Sequence, residues 1–246
     1  MAGGPGRDPG PGGPVSVRPE PGCVPPAKLL VPMYVHPAVD PGAWWALVES
    51  APLLYGVVLN VADGPGHAPE PSFTAAARAL RAAGVPLLGY VDTDYGRRPL
   101  RTVAADFDRY RDWYATDGFF LDQAACASGA VRHYRRLARA ARSRGGRTVV
   151  LNPGVHPAPG YAAVADLLVT FEGDWAAYSA APAAPAWTAA HPPERFCHLV
   201  HGVPAGLCAL AARTAALRRA AVHCAVPGHG PNPWSLLPPV LHRKAS

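Results

Sequence analysis

Carboxylates are scarce in this sequence, and two of them stand at the ends of apolar runs. Asp122 follows Phe119-Phe120-Leu121, and Glu172 follows Leu167-Leu168-Val169-Thr170-Phe171. A carboxylate that closes an apolar segment is either paired with a cation or put to use. If the two face one cavity, they make the pair a glycosidase needs. One protonates the leaving oxygen, and the other attacks the sugar or activates water. The competing reading pairs each with an arginine.

Further polar residues close other apolar runs. Tyr34 and His36 follow the first, Asn60 and Asp63 the second, and Tyr90, Asp92 and Asp94 the third. Gln123 follows Asp122, Asn152 ends the fifth run and His201 the seventh. Asn152-Pro153-Gly154 also reads as a turn. Tyr34, Tyr90, Tyr95, Trp175 and Trp234 fall at or just past these ends. Their flat faces can stack on the C–H faces of sugar rings, or simply pack under loops.

Other chemistries are less well supplied. His198 and His201 are three apart on a strand-like run, which puts them on opposite faces and makes a poor chelate. No metal site is expected, and no cofactor. GxSxG is absent, so a serine nucleophile has no elbow. Cys126 lies near Asp122, but the five cysteines (Cys23, Cys126, Cys197, Cys208 and Cys224) show no CxxC spacing. Free buried thiols are the expectation.

The elements that must position these groups alternate along the chain. Apolar runs occupy 29–35, 56–62, 85–91, 117–122, 148–152, 166–171, 196–200 and 221–226. Amphipathic or Ala-rich stretches occupy 43–50, 72–83, 103–115, 130–144, 161–165, 175–181 and 207–220. Asp40-Pro41 and Ser72 are expected to cap the first two helices. Gly84 and Gly145-Gly146 are expected stops. The apolar runs are nearly continuous, the pattern of a parallel sheet covered on its outer face. Eight such runs predict a single α/β domain, a (β/α)8 TIM barrel over residues 28–246. An active site would then sit at the C-terminal strand ends, where the polar residues cluster. An open doubly wound sheet would want a Gly-rich loop after the first strand, and Met33-Tyr34-Val35-His36-Pro37 is not one.

Composition sets the limits. The chain has 246 residues, of which 49% are hydrophobic and 16% charged, so it can bury a core and is not a disordered polymer. Gly (25) and Pro (30) are concentrated at the start, and residues 1–27 are expected to be a disordered tail. No apolar leader or membrane-length span is visible, so the sequence as it stands predicts a cytoplasmic protein without membrane contact. An upstream start encoding a signal peptide would make it secreted. The net charge is +6, but the arginines mostly follow helical spacing, as solvated helix faces do. No nucleic-acid partner is expected, and a monomer is.

The ordered segments resemble the spherulation-specific family 4 (spherulin-4-like) glycoside hydrolases. The resemblance is carried by Val31-Pro32-Met33-Tyr34 with Trp45, Leu59-Asn60 with Gly64-Pro65-Gly66, and Gly89-Tyr90-Val91-Asp92-Thr93-Asp94-Tyr95-Gly96-Arg97-Arg98. It continues through Gly118-Phe119-Phe120-Leu121-Asp122, Leu151-Asn152-Pro153-Gly154 and Phe171-Glu172-Gly173. Its last pieces are His201 with Val203-Pro204 and Asn232-Pro233-Trp234 with Leu237-Pro238. The resemblance implies a barrel that cuts alpha-linked, N-acetylgalactosamine- or galactosamine-containing polysaccharides in endo fashion. It also implies acidic functional positions at Asp122 and Glu172. Tyr34, His36, Asn60, Tyr90, Asp92, Asp94, Gln123, Asn152, His201 and Trp234 are the expected sugar-binding set. The sequence departs from the family at Gln123, where a glutamate is usual, and at Val226-Pro227-Gly228-His229, where acidic residues are usual. Both departures motivate a second reading, a catalytically degenerate carbohydrate-binding barrel.

Overall fold

The structure, a computed structural model, describes Met1 and residues 27–242. The expected disorder of the N-terminal tail lies outside the described residues. Eight parallel strands close into a barrel in sequence order. They are β1 (Lys28–Met33), β2 (Leu54–Leu59), β3 (Leu87–Asp92), β4 (Gly118–Asp122), β5 (Thr148–Leu151), β6 (Leu167–Asp174), β7 (Phe196–His201) and β8 (Val222–Ala225). The helices α1 (Pro41–Glu49), α2 (Pro71–Ala82), α3 (Leu100–Tyr114), α4 (Val131–Arg142), α5 (Trp175–Ala180) and α6 (Cys208–Leu217) lie between them. The crossover from β5 to β6 carries only a 310 turn (Pro159–Ala163) where a short helix is expected over 161–165.

Helix starts follow local chemistry. Asp40 caps α1, its Oδ1 accepting from Ala43 N–H at 2.9 Å. The cap of α2 is a correction: Glu70, not Ser72, holds that position and accepts from Phe73 N–H at 2.7 Å. Pro71 explains the shift. Its fixed φ suits the first helical residue, so the helix begins there and the residue before it must cap. In α4, Tyr134, Leu137, Ala138 and Ala141 are buried at helical spacing, while Arg132, Arg135, Arg136 and Arg139 face solvent. These arginines are the solvated face that the charge pattern predicts.

Strand pairing defines which residues fill the lumen. Leu30, Val58, Leu88, Phe120, Val150, Val169, Cys197, Leu199, Val222 and Cys224 form one buried cluster inside the ring. The outward residues pack under the helices. Gly89 is a required gap: the ring of Tyr110 from α3 lies flat on it, and a Cβ there would meet the ring at 2.5 Å. The Tyr110 hydroxyl donates to the Leu59 carbonyl at 2.9 Å, locking α3 to β2 and β3.

One irregularity matters for everything above it. Val169 pairs with Cys197, but the next pairs are Phe171 with His198 and Glu172 with Leu199. Thr170 is therefore an extra residue, a bulge that reverses the alternation. Val169 and Leu199 face the lumen. Phe171 and His198 face outward against Tyr178. Glu172, level with Leu199, is thereby turned into the barrel. Plain alternation from Val169 would have placed it under the helices.

Candidate active site

The C-terminal mouth of the barrel holds an open cavity of about 580 Å³. Asp122 from β4 and Glu172 from β6 line it, with Tyr34, Asn60, Tyr90, His201 and Trp234. Beneath them Asn152, 4% exposed, ties the two acids together. Its Nδ2 donates to Asp122 Oδ1 at 2.7 Å and also to Glu172 Oε2. Its Oδ1 accepts from Gly154 N–H at 3.0 Å. That third bond sets the amide orientation, because the oxygen is committed to the turn and only the nitrogen remains for the carboxylates. Asn152 is both the turn former and the bridge. Two oxygens held by one nitrogen are no more than about 6 Å apart.

The two acids differ in environment. Tyr90 donates its hydroxyl to Asp122 Oδ2 at 2.8 Å. Burial pushes the Asp122 carboxyl up, while Tyr90, the Gln123 N–H and Asn152 favour its charged form. Glu172 is pushed from 4.5 up to about 7, first by burial and then by the charge of Asp122. Bonds from Asn152 and Trp234 pull the other way without cancelling it. Among the described residues, neither acid has a basic side chain within ion-pair distance. The Tyr34 phenol is held neutral, raised by burial and by both carboxylates.

The walls are aromatic and braced. Tyr34 meets Tyr90 edge-on with ring centres 5.7 Å apart, and His201 meets Trp234 edge-on at 5.9 Å. Asn232 Nδ2 donates to the Tyr34 carbonyl at 2.8 Å, closing the last loop onto β1. Thr93, fully buried, anchors the end of β4. Its hydroxyl donates to the carbonyls of Asp122 (2.9 Å) and Gln123 (3.0 Å) and meets Tyr134 Oη at 2.9 Å.

Five expected sugar-binding residues do not line the cavity; one of them, Asn152, lies beneath it as the bridge. His36 sits beside Phe73, with Nε2 at 3.5 Å from Glu70. Asp94 pairs with Arg97 at the surface, and Asp92 Oδ1 accepts from Asp94 N–H at 2.7 Å. Gln123 adopts φ +48°, and its carbonyl accepts from Tyr95 N–H at 2.8 Å. Asp63, Asp94, Tyr95 and Gln123 all have left-handed backbones and all sit in loops at this face. Such conformations cost about 1–3 kcal/mol each and concentrate at functional sites. Of the cavity residues outside the expected set, Asp63 and Asn232 carry side-chain polar groups. Asp63 had a visible signal, closing the second apolar run; Asn232 had only its place in Asn-Pro-Trp. Thr93 had none, since its role depends on a partner 41 residues away.

A closed (β/α)8 barrel with two bridged acids at its C-terminal mouth is the architecture of a barrel enzyme. Within that class the sequence is specific. Residues 28–227 match the family described as Spherulation-specific family 4, and the chain belongs to that family. Spherulin-4 of Physarum polycephalum is 38% identical over 154 residues, 60% of this chain and 45% of spherulin-4, so the match spans less than half of that relative. Among solved structures, Aspergillus clavatus Sph3 in complex with GalNAc superposes with a TM-score of 0.70 at 25% identity, over 88% of this chain and 98% of Sph3. The N-terminal domain of a putative aldolase from Bacteroides vulgatus, 12% identical with a TM-score of 0.51 over 87% of this chain and 78% of its own, shares the fold alone.

Proposed function

We propose that this chain is a glycoside hydrolase that cleaves an alpha-linked polysaccharide containing N-acetylgalactosamine or galactosamine, with residues 28–246 as the working unit. The observation that carries the proposal is the single amide of Asn152 bonded to both acids at the floor of an open cleft. The GalNAc bound to Sph3 supports the sugar class.

Roles follow from the two environments. Asp122, with three hydrogen bonds to its charged form, ionises first and works as nucleophile or charge stabiliser. Its charge helps to hold the proton on Glu172, which at about 7 is a general acid poised for neutral pH. Nearest carboxyl oxygens held by one nitrogen are compatible with a double displacement, for which the carboxyls stand ~5–5.5 Å apart. Tyr34, Tyr90 and Trp234 give sugar rings apolar faces, and Asn60, Asp63 and His201 address hydroxyls.

The binding-only reading draws on Gln123. In this geometry Gln123 does not line the cleft, so the acid chemistry is carried without a carboxylate at that position. The test is release of reducing ends from galactosaminogalactan. Wild type should release them, and Asp122→Asn and Glu172→Gln should each lower the rate by about 10²–10⁴-fold. Binding without release by the wild type would establish the degenerate barrel. Release untouched by both substitutions would remove the assigned acids.

A further inference from the structure

Tyr95 holds an uncommon backbone at the mouth of the barrel. Its φ is +53° and its ψ +32°, and Asp94 directly before it has φ +46°. Gly, Asn and Asp tolerate this left-handed region, whereas a bulky aromatic residue there is an outlier. Burial does not repay the strain, because Tyr95 is 55% exposed. A strained side chain that adds little to the core points to a use for that side chain.

The turn that carries it is firmly attached beside the cleft. Asp92 ends β3 level with Asp122, and the pairing continues past both strands. Thr93 N–H donates to the Asp122 carbonyl at 3.0 Å, and Tyr95 N–H to the Gln123 carbonyl at 2.8 Å. Tyr95 is thus pinned to the residue that follows the cleft acid, on the β3–β4 side of the mouth. Arg97 backs the ring, with its guanidinium 5.5 Å from the ring centre. The guanidinium is itself fixed: Nε donates to Asp94 Oδ2 at 3.1 Å, and Nη2 donates to Oδ1. With Arg97 over one face, the exposure of the ring falls on the other. Arg97 Nη1 keeps N–H groups to spare. The charges of Arg97 and Asp94 offset each other, so the platform offers no net charge to an ion. An open aromatic face with donors at its edge and no net charge suits a neutral sugar ring, which has an apolar C–H face and hydroxyls around it.

We propose that Tyr95, backed by Arg97, is an outer platform for a neutral pyranose unit of the same polysaccharide chain that enters the cleft. The inference rests on the reading of the cleft as a polysaccharide site and extends that site beyond the cavity. The platform adds affinity for a chain and none for a single sugar.

Binding is read by calorimetry in the full chain carrying Asp122→Asn, so that the polymer survives the measurement. Adding Tyr95→Asn, a residue that suits the left-handed backbone, should weaken binding of galactosaminogalactan about threefold to tenfold. Tyr95→Gly, equally at home there, should repeat the loss. Tyr95→Phe should bind the polymer as tyrosine does, since the stack needs the ring and not the hydroxyl. N-acetylgalactosamine, which occupies the cleft alone, should bind with and without Tyr95→Asn equally. Unchanged polymer affinity in Tyr95→Asn and Tyr95→Gly overturns the proposal. So does a matching loss of monosaccharide affinity, which would make Tyr95 a support for the shape of the cleft, and so does the absence of polymer binding. Failure of the hydrolase reading shows separately, as no reducing ends released by the wild type, and the binding outcomes still decide the platform.

Discussion

Replacing Asp122 by Asn keeps the shape of the side chain and removes one charge from beside Glu172. The two carboxylates share one amide nitrogen, which keeps their nearest oxygens within about 5 Å of each other, with the delocalised charges centred slightly farther apart. At about 5.5 Å and an effective dielectric of about 20, two unit charges interact by ~3 kcal/mol. At 1.36 kcal/mol per pH unit this is a shift of about 2. Burial is the larger cause of the raised Glu172 value, and the substitution leaves it in place. Glu172 should therefore fall from about 7 toward about 5, and not return fully to its ordinary 4.5. The assay is a carbon-detected NMR titration of glutamate carboxyls, tractable because the sequence has only five glutamates. A shift below about 0.5 unit would mean that Asp122 and Glu172 do not share one low-dielectric cavity, and the acid assignment would go with it.

Stability should report the same group. A carboxyl whose value is raised from 4.5 to about 7 in the folded state binds its proton more tightly there than when unfolded. Glu172 thus costs stability progressively as pH rises through that window, by up to about 3 kcal/mol above it. Urea unfolding should find Glu172→Gln more stable than wild type near pH 8 by up to that amount, and no more stable near pH 4. Equal gains at both pH values would exclude the ionisation as the cause. Tyr90→Phe removes the 2.8 Å bond to Asp122 and should raise the Asp122 pKa. It should also lower turnover by about 10–100-fold, read by reducing-end assay on protein with an unchanged melting curve. Gly89→Ala puts a methyl into the Tyr110 ring and should cost about 1–3 kcal/mol in denaturant unfolding, so wild-type stability in that variant would refute the close packing.

Much of the candidate site was legible because the two relevant signals are local. A polar residue closing an apolar run stands out in any barrel, since the strand must be apolar while it is buried and its last residue meets the mouth. Asp122, Asn60, Tyr90, Asn152 and His201 were readable on that ground alone. Asp94 and His36 give the same signal and lie elsewhere, while Asp92 ends β3 in register with Asp122 but spends its Oδ1 on the Asp94 N–H. Asp94 is taken by Arg97, and His36 stands over Phe73 beside Glu70. Nothing in a run-end rule separates a residue that enters the lumen from one carried past it by the loop.

The sequence by itself determined the eight-fold alternation, the closed parallel barrel and the end of it that carries polar groups. All of these follow from periodicity and from the burial of apolar strands, which are properties of short windows. Only the tertiary structure decided that Glu172 faces Asp122. That depends on one extra residue, Thr170, in the pairing of β6 with β7, and a bulge is a property of two strands in register, with no mark in either alone. The joining of the acids through Asn152 is likewise tertiary, because a turn-forming amide becomes a bridge only when the neighbouring strands bring two carboxylates to its free nitrogen.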